Sequence, residues 1–526
     1  MYSQVKSGSL YGLDSEQVMV EVDLSPGLPA FNLVGLPDIS VRESKERIRA
    51  AMVNSNFPFP SKRITINLAP AGTKKEGTHF DLPIALGVMA ANGTVKKSVV
   101  SSFAFLGELS LDGKLNRIDG ALPLAIGLRN YGVKKIILPS ANAAEVAAID
   151  DILLYPAESL GQIVSFLKGK EKITPYAKHP REEAKKSVEH LDFSDVAGQE
   201  TVKRAMQIAA AASHNLLLIG PPGAGKTMMA KRISGILPEM SYEEKLEVTK
   251  IYSVTGKLTS DHPMITARPF RAPHHTVSGP ALVGGGVSPR PGEVSLAHCG
   301  VLFLDELPEF SRYVLEMLRQ PVEDEKVSIS RIRGTVTFPS RFLLLASMNP
   351  CPCGYYGDPT HACTCTQNQI RSYLSKVSGP LLDRMDMHIE ILPVKYSELA
   401  GLGLDSNQQM GAFKQKTSEE LRKDVEQARE VQLERYKSES ICYNSQLTTG
   451  LIRKYCALDR ETETLLEHAF HKLSFSARAH YKIIKLGRTI ADLEGEEQIR
   501  LHHIAEAIQY RSLDKMYRGM VMVSPR

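Results

Sequence analysis

A chain of 526 residues allows about three domains on the usual length prior, and 43% hydrophobic with 23% charged residues excludes a fibrous or disordered whole. The formal net charge of +5 permits contact with a polyanion without demanding it, because such binding depends on where charge clusters. Seven cysteines, an odd number, argue against a disulfide framework, no run approaches the ~20 apolar residues of a membrane span, and MYSQVKSGSLYG lacks a signal-peptide pattern, so a cytoplasmic protein with no membrane partner is expected.

Along residues 1–170, strand-like runs (VMVEVDL, RITINLAP, FAFLGELSLDG, VKKIILP) alternate with helical ones (SVRESKERIRAAMVNS, FDLPIALGVMAAN). This predicts a self-contained α+β domain without a visible catalytic constellation. Residues 171–191, dense in charge and holding two prolines, read as an exposed linker.

An α/β nucleotide domain is expected over 192–395. Its first sign is LLLIGPPGAGKT, a short apolar strand, then Gly220, Pro221, Pro222, Gly223, Ala224, Gly225, Lys226 and Thr227 at P-loop spacing, then a helix. Glycines let backbone N–H groups face phosphate oxygens, the helix N-terminus adds positive potential, Lys226 reaches the β/γ-phosphates, and Thr227 is placed to hold Mg²⁺. ATP and Mg²⁺ are therefore the expected ligands.

Two stretches interrupt this domain. The first, RPFRAPHHTVSGPALVGGGVSPRPGEVSLAHCG, carries the paired His274 and His275. The second, EKVSISRIRGTVTFPSRF, alternates like a β-hairpin, with Arg331 and Arg333 near its tip. Basic loops on a ring-forming motor are where contacts to a polyanion are expected; a flexible cover and a solvated turn are the plain alternatives.

Between these stretches, GVLFLDELPEF is an apolar strand ending in Asp305, suited to Mg²⁺, and Glu306, suited to activating water; a helix N-cap at Asp305 is the other reading. FLLLASMNP ends in Asn349, where a γ-phosphate sensor would sit. NPCPCGYYGDPTHACTC then sets Cys351, Cys353, Cys363 and Cys365 as two C-x-C pairs, the thiolate number of a structural Zn²⁺ site, with His361 as an alternate ligand and a metal-free loop as the plain reading. SGPLLDRMD carries Arg384. Over 396–526 amphipathic segments predict a helical domain, which carries Arg478.

Together these motifs resemble the AAA+ superfamily, in the branch of magnesium-chelatase motors and MCM helicases. The full chain is similar to the ComM/YifB family of bacterial Mg-chelatase-like ATPases, through VEVDLSPGLPAFNLVGLPD, FRAPHHTVS, NPCPCGYYGD, SARAHYKIIKLGRTIADLEG and AEAIQYR. The resemblance implies a hexameric ATP-dependent helicase that binds single-stranded and branched DNA, with Arg331, Arg333, His274 and His275 as its contacts, and migrates the branches during recombination in natural transformation. It implies that Arg384 reaches the γ-phosphate of a neighbouring subunit and that Arg478 is the phosphate sensor of a C-terminal helical lid.

The N-terminal domain resembles the Lon-protease fold in GELSLDGKLNRIDGALPLAIGLRNYGVKKIILP. Where Lon has its nucleophilic Ser this chain has KKEGTHFDLP, with His79 at the nearest position, which implies a non-proteolytic scaffold. The alternatives are a chelatase-type motor acting on a protein partner and a protease-like regulator.

Overall fold

The computed structural model describes residues 1–177, 191–259, 261–286, 289–331, 334–358, 361–393 and 416–513. They pack as two units, one built on the N-terminal residues with Ser241–Thr266 and Ser330–Phe338, the other on the remainder.

The first unit is organised by a seven-stranded sheet of β1 (Tyr2–Tyr11), β2 (Asp14–Ser25), β3 (Ala30–Val34), β4 (Arg63–Ala69), β5 (Ala104–Phe105), β8 (Lys135–Pro139) and β9 (Leu153–Ala157), in the order β3-β4-β2-β1-β5-β8-β9. A separate pair is formed by β6 (Glu108–Leu109) and β7 (Leu115–Asn116). β1 is antiparallel to β2 and β2 to β4, while β5, β8 and β9 run parallel. The alternation of β2 buries Val18, Val20, Val22 and Leu24 on one face, as period two requires. Helix Asp81–Ala91 is apolar all round beyond Asp81 and buried along its whole length; Gly87 permits its close approach, since a Cβ there would lie 2.6 Å from Val22 Cγ2.

Helix Tyr242–Val254 belongs to this unit although it lies inside the stretch read as the nucleotide domain. Its contacts decide the matter: Ser253 donates through Oγ to the buried Glu145, its carbonyl accepts from Gly120 N at 3.0 Å, and Tyr242 donates to Ala148 O. A partner more than a hundred residues away is invisible to local periodicity.

The second unit holds a five-stranded parallel sheet of β10 (Leu216–Ile219), β11 (Phe270–Arg271), β14 (Val301–Leu304), β17 (Leu343–Met348) and β18 (Met387–Glu390), ordered β11-β14-β17-β10-β18. β10 and β14 are continuous buried apolar runs and β17 is one but for buried Ser347, the pattern of parallel strands covered on both faces. Register sets Ile219 beside Met348 and Leu304 beside Ala346, so these three strands end at one edge. This unit also holds a small ribbon of β12 (Gly284–Gly285) with β13 (Arg290–Pro291). A further two-stranded ribbon is formed by β15 (Lys326–Arg331) and β16 (Gly334–Pro339), of which Ser330–Phe338 groups with the first unit although sequence reading set it in the nucleotide domain.

C-terminal helices Ser418–Arg435, Arg460–Leu473, Ala477–Leu493 and Leu501–Gln509 share one hydrophobic core with this sheet. Buried Asp492 ties two of them, pairing with Arg435 Nη1 at 2.9 Å and Arg488 Nη2 at 3.0 Å. Among the described residues no helix is long and apolar enough to cross a membrane.

Candidate nucleotide site and cysteine cluster

The carboxyl edge of the parallel sheet gathers side chains from three strand ends. After β10 the chain turns through Gly223 (φ +78°) and Gly225 (φ +89°), a left-handed backbone that glycine adopts without strain, and enters helix Lys226–Arg232. Gly220 admits nothing larger, because a Cβ would stand 2.3 Å from Ile391 O.

Lys226 Nζ donates to Gly220 O at 2.7 Å, Pro221 O at 2.9 Å and Asn349 Oδ1 at 3.0 Å. Burial pushes its pKa down, against the pull of Asp305 and Glu306. A half-buried ammonium turned into the loop is a charge poised for an anion of higher field than a carbonyl.

Thr227 Oγ1 donates to Asp305 Oδ2 at 2.6 Å, and Ser347 Oγ donates to Asp305 Oδ1. The Asp305 carboxylate is thereby oriented from both sides, and with Thr227 it makes an all-oxygen donor set, the chemistry that Mg²⁺ prefers. Sequence reading missed Ser347, which sits one strand over and two residues before Asn349 inside an apolar run; a lone polar residue in such a run is the signal it left.

Glu306 follows in the left-handed region (φ +53°), a conformation that costs a non-glycine residue of order 1 kcal/mol or more. Its N–H is held by Asp305 Oδ1 at 3.1 Å and Ser347 Oγ at 3.3 Å. The side chain is exposed, and His275 Nδ1 stands 3.8 Å from Glu306 Oε2. His274 lies against His275 (ring centroids 4.0 Å apart), and the Phe310 ring stands nearly perpendicular to that of His275 with centroids 6.4 Å apart. The histidine pair is thus next to the acidic strand.

Arg384 and Arg478 lie together elsewhere in this unit, both on Glu323. Arg331 ends β15 with its side chain outside the described residues, and Arg333 lies outside them altogether.

The cysteines converge. Sulfur atoms of Cys351, Cys353, Cys363 and Cys365 all lie within 4.8 Å of one another, and His361 stays outside this group. Backbone N–H groups are directed at three of them: Tyr356 N to Cys351 Sγ at 3.3 Å, Cys353 N to Cys365 Sγ at 3.4 Å, and Cys365 N to Cys363 Sγ at 3.4 Å. Each such donor pulls toward thiolate, but only Cys353 is brought down, to about 5 with a backbone N–H from Tyr355 as the main cause; burial pushes Cys351 up, and Cys363 and Cys365 are raised as burial and the neighbouring sulfurs outweigh their N–H donors.

In the first unit, His79 is buried with Nε2 at 2.8 Å from Gly8 O, and burial lowers its pKa to about 4. Lys75 is also buried, its ammonium held by Pro70 O, Thr73 O and Thr73 Oγ1. Three acceptors saturate its three protons, so this lysine acts as a local strut.

Models of magnesium chelatase subunit ChlI match residues 20–142, 192–399 and, for its C-terminal part, 415–511. Competence protein ComM of Haemophilus influenzae is 43% identical over 518 residues, covering 98% of both chains. YifB of Salmonella typhimurium is 42% identical over 513 residues, covering 97% of each. A Lon protease of Mesomycoplasma hyopneumoniae is 28% identical over 168 residues, 30% of this chain and 19% of its own.

Proposed function

We propose that this chain, which belongs to the ComM/YifB family of magnesium-chelatase-like AAA+ ATPases, is a ring-forming DNA translocase that spends ATP to migrate branched DNA during recombination in natural transformation. The observation that carries ATP turnover is the meeting of Lys226, Thr227, Asp305, Glu306 and Asn349 at one sheet edge. Lys226 and Asn349 bind and orient the phosphates. Thr227 and Asp305 would hold Mg²⁺, which supplies neutralisation of phosphate charge when bound. Glu306 orients water and accepts its proton, and its strained backbone fixes where that carboxylate begins.

Arg384 acts on the phosphate of a neighbouring copy and Arg478 on that of its own chain, in a homo-hexamer. Arg331 and Arg333 contact DNA, with His274 and His275 as secondary contacts. The place of His275 beside Glu306 favours a second role for it, holding that carboxylate. The N-terminal unit is a Lon-like scaffold without protease chemistry, in keeping with Lys75 saturated by oxygens and His79 bound to a backbone carbonyl.

The four-cysteine cluster holds one structural Zn²⁺: four soft donors within 4.8 Å fit that ion and no hard cation.

The deciding experiment measures ATP turnover by the purified protein with branched DNA, with unfolded protein and with a chelatase partner complex, alongside strand displacement. Stimulation and strand movement with branched DNA are expected. Stimulation by either protein load alone would replace the DNA reading with a protein-remodelling one.

A further inference from the structure

The cysteine cluster is joined to the nucleotide site at three points. First, Cys351 follows Asn349 by two residues, and Asn349 carries the amide oxygen that accepts from Lys226 at 3.0 Å. Second, Gly354, inside the cluster's turn, lies on the P-loop: a Cβ there would stand 2.5 Å from Cδ and 2.8 Å from Cγ of Pro222. Its backbone is left-handed (φ +89°) and its N–H donates to Cys351 O at 3.0 Å, so ligand Cys351 and the Pro222 contact belong to one tight turn. Third, Cys365 leads directly into Thr366, whose side chain caps helix Gln367–Leu374 in a capping box with Gln369. That helix carries buried Tyr373, whose phenol lies near the Asn349 backbone.

The start of the cysteine loop, its first turn and the helix that follows it therefore adjoin the residues that face the phosphates. Among the described residues of the loop there is no buried apolar anchor beyond Cys351: Cys353, Cys363 and Cys365 are only partly buried. A loop this exposed, pressed against a P-loop whose Pro222 is itself exposed, has little packing to hold it there.

We propose that metal bound by Cys351, Cys353, Cys363 and Cys365 is the strut that presses Gly354 on Pro222 and fixes Asn349, so that occupancy of the metal site sets nucleotide affinity. This rests on the zinc reading above and adds a coupling to it. Four thiolates joined by one ion convert a loop with several arrangements into one, and nucleotide then binds without the cost of ordering its own cradle. Coupling of this kind is reciprocal: nucleotide must tighten metal binding by the factor by which metal tightens nucleotide.

The test uses the full chain. Metal content is measured by elemental analysis; zinc is then withdrawn with a chelator that spares Mg²⁺, and the affinity of a fluorescent ATP analogue is determined before, after and on adding Zn²⁺ back. One zinc per chain, about tenfold weaker nucleotide binding on its removal, and recovery with Zn²⁺ are expected. In the reverse direction, competition with a chelator of known affinity should give zinc binding about tenfold tighter when a slowly hydrolysed ATP analogue is present. Gly354→Ala keeps every thiol and should keep its zinc, yet lose nucleotide affinity, because the new methyl pushes Pro222.

Equal nucleotide affinity with and without zinc, or zinc affinity indifferent to nucleotide, would overturn the strut while leaving the zinc site in place. Protein isolated without metal and with full nucleotide affinity would overturn both. If a variant fails to fold, the reciprocal measurement on the unaltered chain still decides.

Discussion

Arg384 and Arg478 meet on one carboxylate. Glu323 takes Nη2 of Arg384 through Oε2, and Arg478 Nη2 stands 3.9 Å from its Oε1. Arg384 comes from the turn after helix Gly379–Leu382 and Arg478 from the first turn of helix Ala477–Leu493. The same turn is tied to that helix again by Lys482 Nζ on Asp386 Oδ1 at 2.8 Å. Two cations assigned to different ATP sites thus share a resting place within one chain. Arg384→Ala should leave nucleotide binding nearly intact and lower hydrolysis by roughly 10³-fold or more. Mixing Arg384→Ala with Glu306→Gln chains should restore partial turnover, because some interfaces then pair an intact Arg384 with an intact Glu306. Failure to recover in rings shown to be mixed would place Arg384 in its own subunit's chemistry.

Glu306→Gln should bind ATP with Mg²⁺ while Thr227 and Asp305 remain, and turnover should collapse because an amide accepts no proton from water. Its turnover is read against that of Lys226→Ala, which instead weakens nucleotide binding by removing the charge turned toward Asn349. Near-normal hydrolysis by Glu306→Gln would remove Glu306 from the base role. His275→Ala, which leaves that carboxylate without its neighbour at 3.8 Å, should change kcat far more than KM.

The first unit contains opposed titrations. His79 is held neutral at a pKa of about 4, so between pH 6.5 and 4 the unfolded chain takes up a proton that the fold refuses, and His79 makes stability fall as pH falls. Burial raises Asp81 to about 6, against the pull of Arg47, so the fold keeps a proton that the unfolded chain releases, and Asp81 makes stability fall as pH rises from about 3.8 to 6. Each contribution is roughly 3 kcal/mol and the two nearly cancel. His79→Gln should unmask Asp81: hydrogen exchange of helix Asp81–Ala91 should become slower at pH 4.5 than at pH 6.5 after correction for intrinsic rates. A profile as flat as that of the parent would contradict the assignment.

Replacing both Arg331 and Arg333 by Ala should weaken binding to all DNA sequences alike and lower the slope of log affinity against log salt by roughly 0.7 to 0.9 per arginine. Basal ATP hydrolysis should persist and DNA-stimulated hydrolysis should fall. An unchanged salt slope would remove the hairpin from the DNA interface.

Asp492→Ala should be severe for the helical domain. It leaves buried Arg488 and half-buried Arg435 without their shared acid, at a cost of about 3–5 kcal/mol, read as a lowered unfolding midpoint.

The sequence by itself determined the strands that end at the nucleotide site. β10, β14 and β17 are covered on both faces, so β10 and β14 read as unbroken apolar runs and β17 as one interrupted only by Ser347, and Asp305 and Asn349 after β14 and β17 mark the sheet edge. The P-loop was legible for the same reason, since its glycines answer to local backbone geometry at Gly223 and Gly225. Only the tertiary structure decided that Ser347 orients Asp305, that His275 faces Glu306, that Glu323 takes both Arg384 and Arg478, that Gly354 rests on Pro222, and that Tyr242–Val254 packs with the N-terminal unit. Each of these depends on partners distant along the chain. Spacing in sequence encodes which way a side chain points from its own helix or strand; which side chain meets it is set by how the elements pack.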